Sequence, residues 1–96
     1  MIDVRVRSIL GIKEIVGRDE LEVSLPQGSD LAALLSWMVA RWGEQLAAYF
    51  EQAHGEGPLP RIRLLVNGKD IGFLDGMDTV LEDGDEILLL PPVAGG

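Results

Sequence analysis

Residues 31–42 have the apolar spacing of an amphipathic helix, and this stretch limits the folds available to the rest of the chain. Its apolar side chains recur at i, i+3, i+4 and i+7: Leu31, Leu34, Leu35, Met38, Val39 and Trp42. Burying each one contributes roughly 1.5–3 kcal/mol, so this face is predicted to anchor the core. The apolar pattern continues through Leu46, Tyr49 and Phe50 and would extend the helix to residue 53. An unbroken helix of that length would span about 35 Å, so a bend or break is expected near Gly43.

The segments on either side of this helix alternate between apolar and polar residues, as half-buried strands do. Residues 2–7 and 20–25 precede the helix, and residues 62–66 follow it. The short spacing between the first two strands predicts an antiparallel hairpin with a long loop. Either Ser29 or Asp30 is expected to cap the helix, because both residue types accept hydrogen bonds from the first turn.

Turn signals divide the last third of the chain. Asn67-Gly68 predicts a hairpin, because a type I′ turn needs positive φ at both central positions. A short return strand is predicted to begin at Ile71, and Asp75-Gly76 and Asp83-Gly84 are expected to form corners. Residues 87–90 are apolar on both faces, which is typical of a central strand covered on both sides.

The predicted order is β-β-α-β-β-β, with the first and last strands best suited to the centre of the sheet. This is the α+β arrangement of the β-grasp, or ubiquitin-like roll, in which one main helix packs across a mixed sheet. The prediction is one domain over residues 1–90, with residues 91–96 forming a flexible, extended C-terminal Gly-Gly tail.

Composition excludes several classes of function. Eight basic and sixteen acidic residues give a net charge of −8. Nucleic acids and anionic membranes are bound through Lys and Arg, so neither is predicted as a partner. An acidic surface favours a protein partner with a basic docking face. The sequence contains no cysteine, which excludes a disulfide scaffold, a thiolate metal site and a cysteine nucleophile. No signal peptide or membrane-spanning stretch is recognised, so a cytoplasmic location is expected.

The remaining candidates for chemistry have simpler structural explanations. There is no P-loop motif. The single histidine, His54, is interpreted as a solvated loop residue. The acidic residues near the second Asp-Gly corner do not match a calcium loop, so no metal site is predicted there: Glu82, Asp83, Asp85 and Glu86. Trp42 is predicted to be core, and Trp37 to lie at the edge of the apolar stripe, in packing or in a partner contact.

The six residues after the last strand have an unusual composition: Pro91, Pro92, Val93, Ala94, Gly95 and Gly96. The two prolines cannot donate ladder hydrogen bonds, so they end the sheet and favour an extended segment. Val93 and Ala94 can make apolar contacts with a partner protein. The glycines have no Cβ, so they can pass through a slot in that partner only as wide as the backbone. Extended, the six residues reach about 20 Å. They are predicted to deliver a terminal carboxylate deep inside another protein; the alternative is ordinary frayed residues.

Two long segments resemble the molybdopterin synthase small subunit family (MoaD), whose relatives include the thiamine sulfur carrier ThiS and the small archaeal ubiquitin-like modifiers. They are "KEIVGRDELEVSLPQGSDLAALL" and "LLVNGKDIGFLDGMDTVLEDGDEILLLPPVAGG". The resemblance as a whole covers nearly the whole chain, and "DGDE" with "PPVAGG" is its most specific part. The Pro-Pro pair favours the molybdopterin or modifier branch over the thiamine branch.

The resemblance implies a sulfur carrier that is not catalytic alone. An E1-like adenylyltransferase of the MoeB or ThiF type would use ATP to convert the Gly96 carboxylate to an acyl-adenylate. Sulfur from a persulfide would then displace AMP and convert the terminus to a thiocarboxylate. This terminus would enter the large subunit of molybdopterin synthase, a transferase, and donate sulfur to the precursor pterin during molybdenum or tungsten cofactor synthesis. Residues 91–95 would contact the partner, and the chain itself would bind no cofactor.

Three alternatives stay open. The activated Gly96 could be captured by a target lysine, which would make the chain a protein modifier, or it could supply sulfur for thiamine. The third alternative is an interaction module with an inert tail. The carrier and the modifier need the same terminus, so the residues do not separate them.

Overall fold

The computed structural model of the protein describes residues 1–48 and 62–90. The strands and helices in these segments are β1 (Ile2–Ser8), α1 (Leu10–Val16), β2 (Glu20–Leu25), α2 (Leu31–Trp42), β3 (Arg63–Val66), β4 (Lys69–Asp70) and β5 (Glu86–Leu90). Two short 3-10 turns, Ile71–Phe73 and Gly76–Asp78, lie between β4 and β5.

The five strands form one mixed sheet in the order β2-β1-β5-β3-β4. β1 and β5 are parallel, with Ser8 opposite Leu89, whereas the other neighbouring strands are antiparallel. The prediction that the first and last strands occupy the centre is confirmed, and so is the antiparallel pairing of the first two. The described segments therefore have the predicted β-grasp arrangement.

The core lies between the sheet and α2. Leu31, Leu34 and Met38 of the helix are fully buried, as are Ile87 and Leu89 of β5, and all belong to one apolar cluster. The helical stripe is thus confirmed as the core anchor. The cap is Asp30 rather than Ser29, since the Asp30 carboxylate accepts a 2.9 Å hydrogen bond from the Ala33 N–H.

The predicted break near Gly43 is confirmed. Gly43 has φ 77° and ψ −155°, and its N–H closes α2 by donating to the Val39 carbonyl at 2.7 Å. Residues 44–48 are helical again. The Leu46 side chain is fully buried, which explains why the apolar pattern continues beyond the break. Tyr49 and Phe50 lie outside the described residues, as does His54.

The connection between β1 and β2 was predicted as a long loop, and this is wrong. Residues 10–16 form α1, whose Ile12 is fully buried, with Ile15 and Val16 packed against the core. These three positions have helical spacing, and Gly17 ends the helix in the left-handed region at φ 89°, as a C-terminal glycine commonly does. The fold therefore contains a second helix in addition to the predicted main one.

The Asn67-Gly68 hairpin is confirmed, with φ of 52° and 85° at the two residues. The return strand was predicted to begin at Ile71, but β4 consists of Lys69–Asp70 and ends there. The Asp70 carboxylate accepts a 2.8 Å hydrogen bond from the Gly72 N–H. This side-chain bond turns the backbone out of the strand and into a 3-10 turn.

Trp42 was predicted to be core, but it is only partly buried, like Trp37 at the predicted edge of the stripe. The two rings meet edge to face with centroids 6.2 Å apart. The Arg41 guanidinium lies 5.2 Å from the Trp37 ring centroid and 5.9 Å from that of Trp42. The helix ends at Trp42, so the Trp42 ring covers the margin of the core rather than filling the centre.

Candidate functional site

The predicted site residues, Pro91 to Gly96, lie outside the described residues. The structure does describe their point of attachment, which is Leu90 at the end of β5. β5 is the middle strand of the sheet and is paired on both sides. Its inward residues Ile87 and Leu89 are fully buried. The segment 91–96 is therefore attached to a strand that is paired on both sides and buried on its inner face.

The neighbours of this attachment point follow from the register. Leu89 lies opposite Ser8 of β1, and Leu90 lies opposite Arg63 of β3. The chain thus leaves the sheet between the last residues of β1 and the first residues of β3. Any protein that binds residues 91–96 meets this end of the sheet.

The outer face of the sheet, opposite the core, combines leucines with charged residues. A row across the sheet joins Arg7, Leu88, Leu65 and Asp70, which are successive partners in the strand register. Leu65 and Leu88 are partly buried, and Arg7 is exposed. Apolar side chains left accessible among polar ones are typical of a protein-binding surface.

This arrangement corrects the prediction that β5 is covered on both sides. Ile87 and Leu89 are buried against the core, but Leu88 and Leu90 on the outer face are only partly buried. An apolar residue on an open face and one on a covered face look the same in the sequence, which is why the pattern was misread.

Ion pairs surround the outer leucines. Arg5 Nε lies 2.8 Å from a Glu20 carboxylate oxygen, and Arg7 lies 3.7 Å from Glu86. These side chains are about half exposed, and such pairs contribute only about 0.2–1 kcal/mol each. The pairs place the Arg5 and Arg7 guanidinium groups on the outer face of the sheet.

A further pair joins Arg63 and Asp70 at 3.1 Å. The hydrogen bond from the Gly72 N–H lowers the pKa of the Asp70 carboxyl below its usual value of 3.8, and Arg63 lowers it further through a hydrogen bond and its charge. Burial acts in the opposite direction and is outweighed. Asp70 is therefore ionised at neutral pH and fixes the Arg63 guanidinium beside Leu90.

The acidic residues near the Asp83-Gly84 corner build the turn that precedes β5. Asp83 accepts a 2.7 Å hydrogen bond from the Asp3 N–H. Asp85 accepts from the Asn67 side-chain amide at 2.9 Å and from the Glu82 N–H at 2.8 Å. Within residues 1–48 and 62–90 no three His, Asp or Glu side chains are grouped so as to hold a metal ion. The Asp83 and Asp85 carboxylates are explained by their bonds to the backbone and to Asn67.

The comparison with protein families decides the identity. The model of the ThiS family matches residues 11–96, which includes both the β-grasp body after β1 and the Pro-Pro-Val-Ala-Gly-Gly segment. The chain belongs to the ThiS family. Its relatives comprise ubiquitin-like sulfur carriers and protein modifiers, so the expected resemblance is confirmed at the level of this family.

Two relatives align over almost the whole chain. Small archaeal modifier protein 3 of Haloferax volcanii is 27% identical over 95 residues, covering 99% of this chain and 100% of that protein. A putative sulfur carrier protein of Archaeoglobus fulgidus is 31% identical over 94 residues, covering 97% and 98%. One relative is thus described as a modifier and the other as a sulfur carrier.

Solved structures confirm the fold. A Haloferax volcanii protein solved in solution has a TM-score of 0.80 and 28% identity, covering 99% of this chain and 87% of that one. A chain of the Amycolatopsis orientalis BexX/CysO complex has a TM-score of 0.71 and 29% identity, covering 97% and 99%. The described part of this ThiS-family chain contains no helix long and apolar enough to cross a membrane.

The site predicted from the sequence was the tail, and the residues of the outer face were not named. A signal was present, because Arg5 and Arg7 alternate with the buried valines of β1 and so had to share a face. The leucines beside them, Leu65 and Leu88, become neighbours only through the pairing of β3 with β5. The sequence contains no short-range signal for that pairing.

Proposed function

We propose that this ThiS-family chain is a sulfur carrier whose Gly96 supplies the C-terminal carboxylate that is activated and charged with sulfur. The observation that supports this is the place of residues 91–96 in the sequence, directly after β5. The family match runs through Gly96, and the segment follows directly from the doubly paired central strand. A glycine end on a firmly held strand suits delivery into a narrow active site, because glycine has no side chain to obstruct the slot.

The activation chemistry needs a partner with ATP. A Gly96 carboxylate oxygen attacks the α-phosphorus, pyrophosphate leaves, and an acyl-adenylate forms. The terminal sulfur of a persulfide then attacks the acyl carbon, and AMP leaves as the C–S bond forms. A partner thiol then attacks the sulfur of this acyl disulfide that is not bonded to the acyl carbon. The S–S bond breaks, the thiocarboxylate leaves, and a new disulfide forms between the two partner sulfurs. All of these sulfur atoms come from partners, because this chain contains no cysteine.

The outer face of the sheet is proposed to dock the activating enzyme, an E1-like adenylyltransferase of the MoeB or ThiF type. The face leads directly to Leu90 and offers apolar area at Leu65 and Leu88 between anchored arginines. A complex structure of the Amycolatopsis orientalis relative, CysO with BexX, gives a precedent for protein binding by this kind of chain. The net charge of −8 favours a partner whose overall charge is positive.

We assign the sulfur to molybdopterin synthesis, for a molybdenum or tungsten cofactor, with the large subunit of molybdopterin synthase as acceptor. The Pro91-Pro92 pair supports this branch over the thiamine branch. Reconstitution tests the assignment: the thiocarboxylate form should convert precursor pterin in the presence of the large subunit, and the carboxylate form should not. A thiocarboxylate form that instead supports only thiamine synthesis would reassign the branch.

The relative described as a modifier supports a second candidate function, conjugation to proteins. The same acyl-adenylate would then be attacked by a lysine amine, and an isopeptide bond would form as AMP leaves.

Intact mass spectrometry of the chain purified from its own host tests both functions. A sulfur carrier gains the mass of one sulfur and loses that of one oxygen, and tandem fragmentation places the change at Gly96. A modifier gives conjugates in which Gly96 is linked to a lysine of another protein. The matched control is a variant that lacks Gly96, which should show neither product. Wild-type protein that remains unmodified in cells expressing its activating enzyme would contradict both functions.

A further inference from the structure

We propose that Ile9 and Leu10 form an apolar docking ridge for the adenylating enzyme, and that this ridge determines which enzyme can take the tail. The proposal rests on the proposed function, because it names a contact made while Gly96 is being activated. It concerns the end of β1, beyond the row of outer-face residues that begins with Arg7.

The ridge lies beside the point where the tail begins. β1 and β5 run parallel, with Ser8 opposite Leu89. Ile9 is also extended, with φ −135° and ψ 165°, so it reaches the level of Leu90, one strand spacing or about 5 Å away. The six residues that follow Leu90 span at most about 20 Å. An enzyme that holds Gly96 at its catalytic centre therefore has its own surface close to Ile9 and Leu10.

Both side chains of the ridge face solvent. Leu10 is 56% exposed and Ile9 is 38% exposed, whereas Val4 and Val6 of the same strand are each 1% exposed. In the alternation of β1, Ile9 follows the exposed positions Asp3, Arg5 and Arg7, and it is the first apolar residue among them. Neither ridge side chain belongs to the apolar core cluster or to the residues packed against it.

The backbone at Leu10 is unfavourable for a leucine. Its φ is 56°, in the left-handed region, which asparagine, aspartate or glycine adopts at lower cost. The strand below is firmly anchored, since the Ser8 N–H donates to the Asp19 carbonyl at 3.0 Å and the Ser8 hydroxyl to the Arg18 carbonyl at 3.2 Å. A strained, exposed leucine on a rigid base does not serve folding, and such strain is commonly retained at functional sites.

These observations define the chemistry of the partner. The enzyme should have an apolar cleft for Ile9 and Leu10 next to the channel that admits residues 91–96. With the ridge docked, the tail enters that channel from a fixed distance and direction. An enzyme with the same catalytic centre but a polar surface in place of the cleft should bind this chain weakly.

The test compares Leu10→Asn with Val80→Asn as substrates of the ThiF-type adenylating enzyme from the same genome. Val80 is 58% exposed, almost the same as Leu10. It lies just before the turn whose Gly84 N–H donates to the Asp3 carbonyl. Asp3 is near the opposite end of β1 from Leu10. Pyrophosphate release is measured against carrier concentration. Leu10→Asn should raise KM about tenfold, which corresponds to about 1.4 kcal/mol of binding, with kcat unchanged. Val80→Asn should leave both constants unchanged.

Asparagine tolerates positive φ, so Leu10→Asn should fold; Leu10→Gly, which also suits this backbone, is the second variant and should raise KM similarly. The ridge is disproved if both Leu10 variants stay within about twofold of the wild-type KM, or if Val80→Asn raises KM equally.

A variant that lacks Gly96 separates the two proposals. If the wild-type chain is adenylated no faster than that variant, the proposed function fails and the ridge fails with it. If only the wild-type chain is adenylated and the Leu10 variants match it, the ridge alone fails.

Discussion

At the scale of single residues, Asn67 connects the β3–β4 hairpin to the start of β5. It adopts φ 52°, its side-chain amide donates to Asp85 at 2.9 Å, and its side-chain carbonyl accepts from the Glu86 N–H at 2.9 Å. Asn67→Ala should lower the free energy of unfolding by about 1–3 kcal/mol, because it strains the turn and leaves both groups without their partner. Asn67→Gly is the matched control, since it loses the hydrogen bonds but not the favourable backbone. Urea denaturation of the two variants separates the contributions, and an Asn67→Ala variant as stable as the wild type would contradict the prediction.

The Arg63–Asp70 pair predicts a pH dependence at the same scale. The pKa of Asp70 is lowered below 3.8 in the fold, so its ionised form stabilises the folded state above pH 3.8. This stabilisation is lost as the pH falls through the lowered value. The difference in stability between wild type and Asp70→Asn should therefore be constant near neutral pH and shrink below pH 3.8. Thermal unfolding across that range measures it, and a difference that grows with acidification would have the wrong sign.

Gly96 carries the third prediction at residue scale. Gly96→Ala should leave the unfolding temperature unchanged but suppress sulfur loading, because a Cβ would obstruct a slot only as wide as the backbone. Mass spectrometry of the loaded fraction over time measures the effect. Normal loading of Gly96→Ala would show that the slot has room for a side chain.

At the scale of elements, α2 holds the sheet together through its buried stripe. Leu34 is fully buried in the core cluster, so Leu34→Ala should cost about 2–5 kcal/mol through the cavity that it leaves. Its effect on sulfur loading should disappear when loading is measured well below the unfolding temperature. Ala33→Ser, on the exposed side of the same helix, is the control. A Leu34→Ala variant that folds fully but does not load would instead give the helix a direct role.

The elements also show what the sequence could and could not predict. Strand β1 and helix α2 were predictable, because each repeats one period over its whole length. Helix α1 was missed because it is only seven residues long and contains Gly11 in its first turn, which resembles a loop, although the spacing of Ile12, Ile15 and Val16 was helical. The end of β4 depends on one hydrogen bond, from the Gly72 N–H to the Asp70 carboxylate. The spacing of apolar residues does not predict such a bond. The tail was predicted as the candidate site from its own residues. The residues around its attachment point could not be predicted, because they come together only when β5 pairs with β1 and β3.

At the scale of the whole molecule, the body and the segment after β5 are proposed to have separate tasks. The body is closed by the β1–β5 and β3–β5 pairings, whose last partners are Ser8 with Leu89 and Arg63 with Leu90. Pro91 and Pro92 cannot extend these ladders as donors. A chain that ends at Pro92 should therefore keep the urea midpoint and the m-value of the full chain, within about 0.5 kcal/mol of stability. It should lose adenylation completely, because the carboxylate no longer reaches the enzyme's centre.

Leu34→Ala, measured in parallel, shows that the assay detects a true loss of packing. A marked fall in the midpoint of the shortened chain would mean that residues 93–96 contribute to the stability of the body, and delivery of Gly96 would then have to begin with their release.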